Sequence, residues 1–367
     1  MNDDVRLSII TPVYNTREYI DKCVRSALDQ IDPADEIVII DDGSTDGSGD
    51  LCENFRALDS RVILHKQSNK GLSASRNAAL DLASGDYAVF LDSDDWLEPR
   101  ALERIRTALE RRPDILISRC NLYFQNNMNG GTHGDAYGIP IQERWTGENL
   151  AAIQEDAEAM RDALLDSAVV YMSTRTITST RLIKELKLRF REGILHEDEE
   201  WLLRLFCAAN SFAFMREPYY AYRLREGSIS FSISPEKCLG LLAAAEAAED
   251  IIRESQDMRP HTKKRLRDRQ YYYCQRGLST YMSLDDDARE RIARRLSDTP
   301  TACKRMIKLI TRSSANWESE HIVSVLESIE RCDDCAQLGR TTAVILEAFV
   351  GLTRGCNARA GDSGGAD

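Results

Sequence analysis

The sequence predicts an α/β protein: a mostly parallel, doubly wound sheet followed by a helical C-terminal region. Three observations carry that reading. Short apolar runs alternate with helical patterns from Val5 to Ser118. Three of those runs end in polar clusters, Thr11-Pro12-Val13-Tyr14-Asn15, Asp41-Asp42-Gly43-Ser44 and Asp92-Ser93-Asp94-Asp95. From Pro235 onward the composition turns to strong helix formers. Strands alternating with helices at this spacing imply right-handed β-α-β units and a parallel sheet. Ligands of such sheets bind beyond the carboxyl ends of the strands, the edge on which all three clusters fall.

Taken in order, Val5 to Pro12 is the first strand and Arg17 to Gln30 the helix behind it. Glu36 to Ile40 is the second strand, and Gly47 to Ala57 a short helix after the Asp-Gly turn. Arg61 to Lys66, Tyr87 to Leu91 and Ile115 to Ser118 are the next three strands. Helices over Ser73 to Ala83 and Pro99 to Glu110 lie between them, the second opening on a proline suited to a first helical turn. Asn121 to Gly147 is polar and reads as a variable loop. A helix over Gln154 to Asp166 and a β-branched strand over Val169 to Ser179 follow. Leu239 to Glu254 is helical, and later helices break near Pro260, Ser283 to Asp287 and Pro300. The expected division is a sheet domain over 1–234, a helical region over 235–352 and a disordered tail over 353–367.

At 367 residues and 43% hydrophobic content, the chain can bury one large core and a smaller one. Its net charge of -12 argues against nucleic acid as a partner. Of the 10 Cys, only Cys332 and Cys335 are closely spaced, and one isolated pair reads as thiols rather than zinc ligands. The polar, acidic start predicts no signal peptide, and no apolar run approaches the roughly 18 residues of a membrane span. The expected location is therefore the cytoplasm. One basic stretch, Arg259 to Arg312, holds 15 Lys and Arg against 6 Asp and Glu. It suits either peripheral contact with the anionic inner face of a membrane or a solvated helix surface.

Asp92, Asp94 and Asp95 place three carboxylates within four residues at a strand end. Like charges so close are costly to bury without a cation. Their oxygens suit Mg²⁺ or Mn²⁺, which also hold phosphate oxygens.

Six segments now combine: Ser8 to Asn15, Asp41 to Asp46, Asn69 to Asn77, Asp92 to Trp96, His196-Glu197-Asp198, and Tyr222-Arg223 to Ser230. Over residues 5–232 they resemble a family 2 glycosyltransferase of the GT-A fold. The resemblance implies an inverting, metal-dependent transfer of a sugar from a nucleoside-diphosphate donor, a UDP-sugar. The acceptor it implies is a hydroxyl of a glycan or lipid-linked glycan, in bacterial surface polysaccharide assembly. Tyr14 can lie against a flat base while Thr11 and Pro12 shape the backbone around it; alternatively Tyr14 packs on the following helix. The resemblance gives Asp42 to the uracil and sets Arg76 and Ser93 beside the nucleotide. Salt bridging is the alternative for Arg76. Asp92 goes to the ribose or the metal, Asp94 to direct metal ligation, and Asp95 to support or further ligation. Similar enzymes keep their base in the Glu-Asp element, so Asp198 takes the acceptor proton and Glu197 orients it or stands in for it. His196 either joins the metal shell or is a loop histidine without a ligand. Arg223, at the start of a closing segment, would stabilise the leaving diphosphate; surface charge is the alternative.

A nucleotidyltransferase, the rival with a similar sheet, would carry a Gly-rich basic loop where this chain has Thr11 to Asn15. Relatives also carry a Trp-Asn-Lys-like element bordering the acceptor. Tyr171 to Thr176 stands in its place, so the identity of the acceptor does not follow from the resemblance.

Overall fold

The computed structural model describes residues 5–124, 157–166, 171–224, 233–255 and 257–297. Most of the expected loop over 121–147, the start of the helix at 154, the start of the strand at 169 and the closing residues through Ser230 lie outside the described residues. So do the basic segment 298–312, Cys332, Cys335 and the tail. The chain divides into a unit of 1–193 with 197–230 and a unit of 194–196 with 231–367.

The first unit is built on one sheet. Its strands are β1 (Leu7–Val13), β2 (Glu36–Asp41), β3 (Val62–Lys66), β4 (Tyr87–Phe90), β5 (Trp96–Leu97), β6 (Ile115–Phe124), β7 (Thr176–Ser179) and β8 (Phe212–Leu224). Their order is β3-β2-β1-β4-β7-β6-β8-β5. The four strands from β3 to β4 are parallel neighbours, as expected. Ile9, Ile10, Ile37, Val38, Ile39, Ile40, Val89 and Phe90 are fully buried. A parallel sheet covered by helices on both faces requires such continuous apolar runs. The covering helices of this half are α1 (Ile20–Leu28), α2 (Ser48–Leu58) and α3 (Leu72–Leu82). In α1, Ile20, Cys23, Val24 and Ala27 form one buried stripe at helical spacing.

The other half departs from simple alternation. Helix α4 (Ala101–Ala108) leads into β6, but β7 lies between β4 and β6, antiparallel to both. Strand β8 was not expected, because Pro218 interrupts its aromatic run and proline cannot donate to a ladder. The β6–β8 register jumps between Ser118↔Met215 and Cys120↔Tyr220, which lifts Glu217 and Pro218 out of the pairing. Their carbonyls accept instead from Ser118 Oγ (3.1 Å) and Arg104 (3.0 Å). Helices α5 (Ala157–Leu164), α6 (Thr180–Glu185) and α7 (Glu197–Ala208) complete the described part of this unit.

One detail of register positions the site. β1 pairs with β2 through Val13 but with β4 only through Ile10. β1 thus runs three residues beyond its last partner in β4, and the polar clusters lie at that carboxyl edge. Pro12 fits there because its missing N–H faces no β4 partner.

The second unit, as described, holds α8 (Pro235–Glu254), α9 (Pro260–Met282) and α10 (Asp286–Ser297). Ser234 caps α8 by accepting from the Lys237 N–H at 3.2 Å, with Pro235 in the first turn. Gly240 lies so close to the Leu195 carbonyl that a side chain there would collide with it. Among the described residues no helix is long and apolar enough to cross a membrane.

Candidate active site

The loops after β1 and β2 clasp each other. Asn15, at φ 51°, accepts from the Thr45 N–H at 2.8 Å and donates its own N–H to Ser44 Oγ at 3.1 Å. The Thr16 and Arg17 N–H groups donate to Ser48 Oγ and Asp46, both at 2.9 Å. The two motifs are therefore read best as one structure. Thr11 and Pro12 are buried beneath it, and Tyr14 stands half in solvent. Asp42 turns the other way. Its carboxylate accepts from Gln67 Nε2 (2.7 Å), the Lys70 N–H (2.9 Å) and the Gly71 N–H (2.8 Å). It thus holds the loop that enters α3, where Gly71 takes φ +91°.

The three carboxylates after β4 have different surroundings. Asp95 is buried, accepting from the Tyr220 hydroxyl at 2.6 Å and the Arg223 N–H at 2.7 Å. Burial, together with Asp94 and Asp92, pushes its carboxyl well above the usual range. Asp92 faces Arg76 at 2.9 Å, and its N–H donates to the Tyr220 hydroxyl. Ser93 is buried and Asp94 half-exposed. Arg223 lies within β8. Its Nε donates to the Asp94 carbonyl at 2.7 Å, and its guanidinium lies over the rings of Tyr19 and Trp96. Lys22 sits 3.2 Å from the Trp96 ring centroid, and burial, with Arg223 nearby, lowers its ammonium.

Arg76 is the centre of the arrangement. It lies in α3 and is 2% exposed. One nitrogen, Nη2, donates to Asp92; the other, Nη1, reaches Glu197 at 2.5 Å and Asp198 at 3.1 Å. Burial works against its charge, but Asp92, Asp198 and Glu197 outweigh that and raise it above its ordinary value. Its guanidinium rests 5.3 Å from the ring of Phe190, which stacks on Trp201 at 4.6 Å and 6°. Asn77 fixes that floor by bonding both the N–H and the carbonyl of Phe190, at 2.8 and 2.9 Å. Asp198 is pinned from a second side, since its Oδ2 accepts from the Ser173 N–H at 2.9 Å. Burial and the neighbouring Asp198 push Glu197 up to about 7 despite the pull of Arg76. Glu197 and Asp198 open α7, where a helix N-terminus favours negative charge.

His196 belongs to the second unit. Burial, with Lys237 and Arg276 facing it, lowers its imidazole to about 4, so it is neutral at pH 7. Among the described residues, no group of three or more His, Cys, Asp and Glu is arranged to hold a metal ion. Sequence reasoning missed Asn77, Phe190, Ser173 and Tyr220 as parts of this site. The Asn following Arg76 was the signal available for the first; the others come from segments more than 75 positions away from Asp92.

Parallel strands β3-β2-β1-β4 with acidic loops at their carboxyl ends are an arrangement of the GT-A type of α/β fold. Residues 8–168 match the family described as glycosyl transferase family 2. The glycosyltransferase GlyA of Streptococcus pneumoniae is 34% identical over 233 residues, which is 62% of this chain. The chain spans about a third (32%) of GlyA's length. Among solved structures, S. aureus TarS 1-349 in complex with UDP-GlcNAc superposes with a TM-score of 0.60 at 20% identity. That match covers 94% of this chain and 92% of that one. The mannosyltransferase PcManGT from Pyrobaculum calidifontis, in complex with GDP-Man and Mn²⁺, gives 0.51 at 13% identity, covering 93% and 86%. These two likenesses are of fold.

Proposed function

We propose that the chain transfers a sugar, with inversion, from a UDP-sugar to a hydroxyl of a glycan or lipid-linked glycan in surface polysaccharide assembly. One observation carries the reading. The acidic loop after β4 and the Glu197–Asp198 pair, 102 or more residues on from Asp95, converge on a single buried arginine. That convergence supports a donor side and an acceptor side that meet at Arg76. TarS with UDP-GlcNAc and PcManGT with GDP-Man and Mn²⁺ give the same type of fold a nucleotide-sugar ligand, which supports a nucleotide-sugar donor here.

Thr11, Pro12 and Tyr14 form the base side of the donor site, with Asp42 shaping the loop opposite. Asp92 and Ser93 face the ribose. Asp92 pairs with Arg76, and Asp95 accepts from Tyr220 and Arg223. The carboxylates after β4 offer oxygens to Mn²⁺ or Mg²⁺, which bind through one or two carboxylates and complete their shells with phosphate and water. Asp94 would hold the ion, with Asp92 beside it, and the ion would neutralise the diphosphate. Asp95 and Arg223 fix the loop that presents Asp94. Asp198, pinned by Arg76 and Ser173, takes the proton from the acceptor hydroxyl as it attacks the anomeric carbon.

Titration with UDP in the presence and absence of Mn²⁺ tests the reading. Binding that requires the metal is the expected result. No binding by the wild type with Mn²⁺ present overturns it.

A further inference from the structure

Arg76 joins two segments that are far apart in the chain. Its guanidinium is fully buried and its two terminal nitrogens are committed in opposite directions. Nη2 grips Asp92, which follows β4; Nη1 grips Glu197 and Asp198, which open α7. The side chain is held in turn by Phe90 and Phe190 at 5.9 and 5.3 Å. Asn77, the next residue along α3, ties Phe190 through both of its backbone polar groups.

We infer that Arg76 is a positioning residue that sets the acceptor-side base Asp198 at a fixed distance from the donor-side carboxylate Asp92, through one rigid guanidinium fork. This rests on the transferase reading above. The physical reason is the planarity of the group. A guanidinium presents its donors in a fixed fork, so two elements bound to its two ends cannot drift apart independently. An ammonium on a flexible stem carries the same charge without that rigidity. Displacements near 1 Å from the productive geometry can cost about a hundredfold in rate.

Arg76→Lys is the primary test, assayed by UDP release from UDP-glucose, UDP-galactose, UDP-GlcNAc and UDP-GalNAc, and by UDP titration with Mn²⁺. The expected result is a loss of roughly a hundredfold in kcat, with KM and UDP affinity within about threefold of wild type. A group that touched the nucleotide would lose UDP affinity instead, and that outcome overturns the inference. So does a folded Arg76→Lys with wild-type kcat.

Should the lysine variant fail to fold, the double variant Arg76→Met/Glu197→Met carries the test. It replaces the buried pair by apolar side chains of similar size, a change that folds often tolerate. UDP binding kept, with a kcat loss at least about tenfold greater than that of Glu197→Gln alone, supports the inference; a loss no greater than that of Glu197→Gln overturns it. Wild-type kcat in the double variant overturns it. A wild-type protein that neither binds UDP nor releases it overturns the transferase reading and this inference with it; the variants separate the two only when the wild type is active.

Discussion

One guanidinium cannot neutralise three carboxylates, and that imbalance makes a measurable prediction at Glu197. Arg76 faces Asp92, Glu197 and Asp198, and Glu197 is the most buried of the three. Burial first, and Asp198 after it, push the Glu197 carboxyl from an ordinary 4.5 to about 7. A carboxyl raised in the folded state is favourable while protonated. Its contribution is fully present below pH 4.5 and is lost as pH rises through about 7. The difference corresponds to about 3 kcal/mol, at 1.36 kcal/mol per pKa unit. Glu197→Gln keeps the shape and cannot ionise, while Asp92 and Asp198 still hold Arg76. Urea unfolding followed by tryptophan fluorescence, with Trp201 in the same cluster, reads the effect. At pH 5 the variant and the wild type should unfold alike. At pH 8 the variant should unfold about 1 M later in urea, given a slope of roughly 3 kcal/mol/M. Titrating groups remote from Glu197 cancel in the difference. The same pH dependence in both proteins would refute the reasoning.

Asp198→Asn should keep Mn²⁺-dependent UDP binding and lower UDP release from the donor by roughly 100- to 10,000-fold; full turnover would remove it from the base role. Asp94→Ala should lose the Mn²⁺ dependence of UDP binding, because the proposed site gives Asp94 the direct bond to the ion; calorimetry with and without metal decides it. Asp42→Ala removes three hydrogen bonds, two of them from backbone N–H groups. Native-state exchange at Lys70 and Gly71 should speed up by a factor matching about 2–4 kcal/mol, and unchanged exchange would show that the loop holds itself. His196 should titrate well below an ordinary histidine in an NMR pH series. Because its folded value is lowered, its stabilising contribution is present above pH 6.5 and is lost as pH falls through about 4. Lys237→Ala should move that titration upward.

The sequence by itself determined the class of the fold and carried the resemblance to family 2 glycosyltransferases. Apolar runs long enough for a strand, each followed by an amphipathic stripe, leave little choice beyond a helix-covered parallel sheet. The turn residues at Asp42-Gly43 and Pro99 marked where those elements end and begin. The acidic cluster was equally legible, since Asp92, Asp94 and Asp95 are neighbours in the chain and their mutual repulsion needs no structure to recognise. The antiparallel insertion of β7 and the strand through Pro218 were not legible. Both depend on which partner each segment meets, and local propensity carries no information about partners. The same limit applies at the site. Arg76 looked like a nucleotide contact, and Arg223 like part of a closing loop. Tertiary structure placed Arg76 between segments 16 and 121 positions away and buried Arg223 in β8 against the aspartate loop. Long-range pairing of charges is decided by how the elements pack. Only the folded chain shows that Asp92 and the Glu197–Asp198 pair meet on one guanidinium.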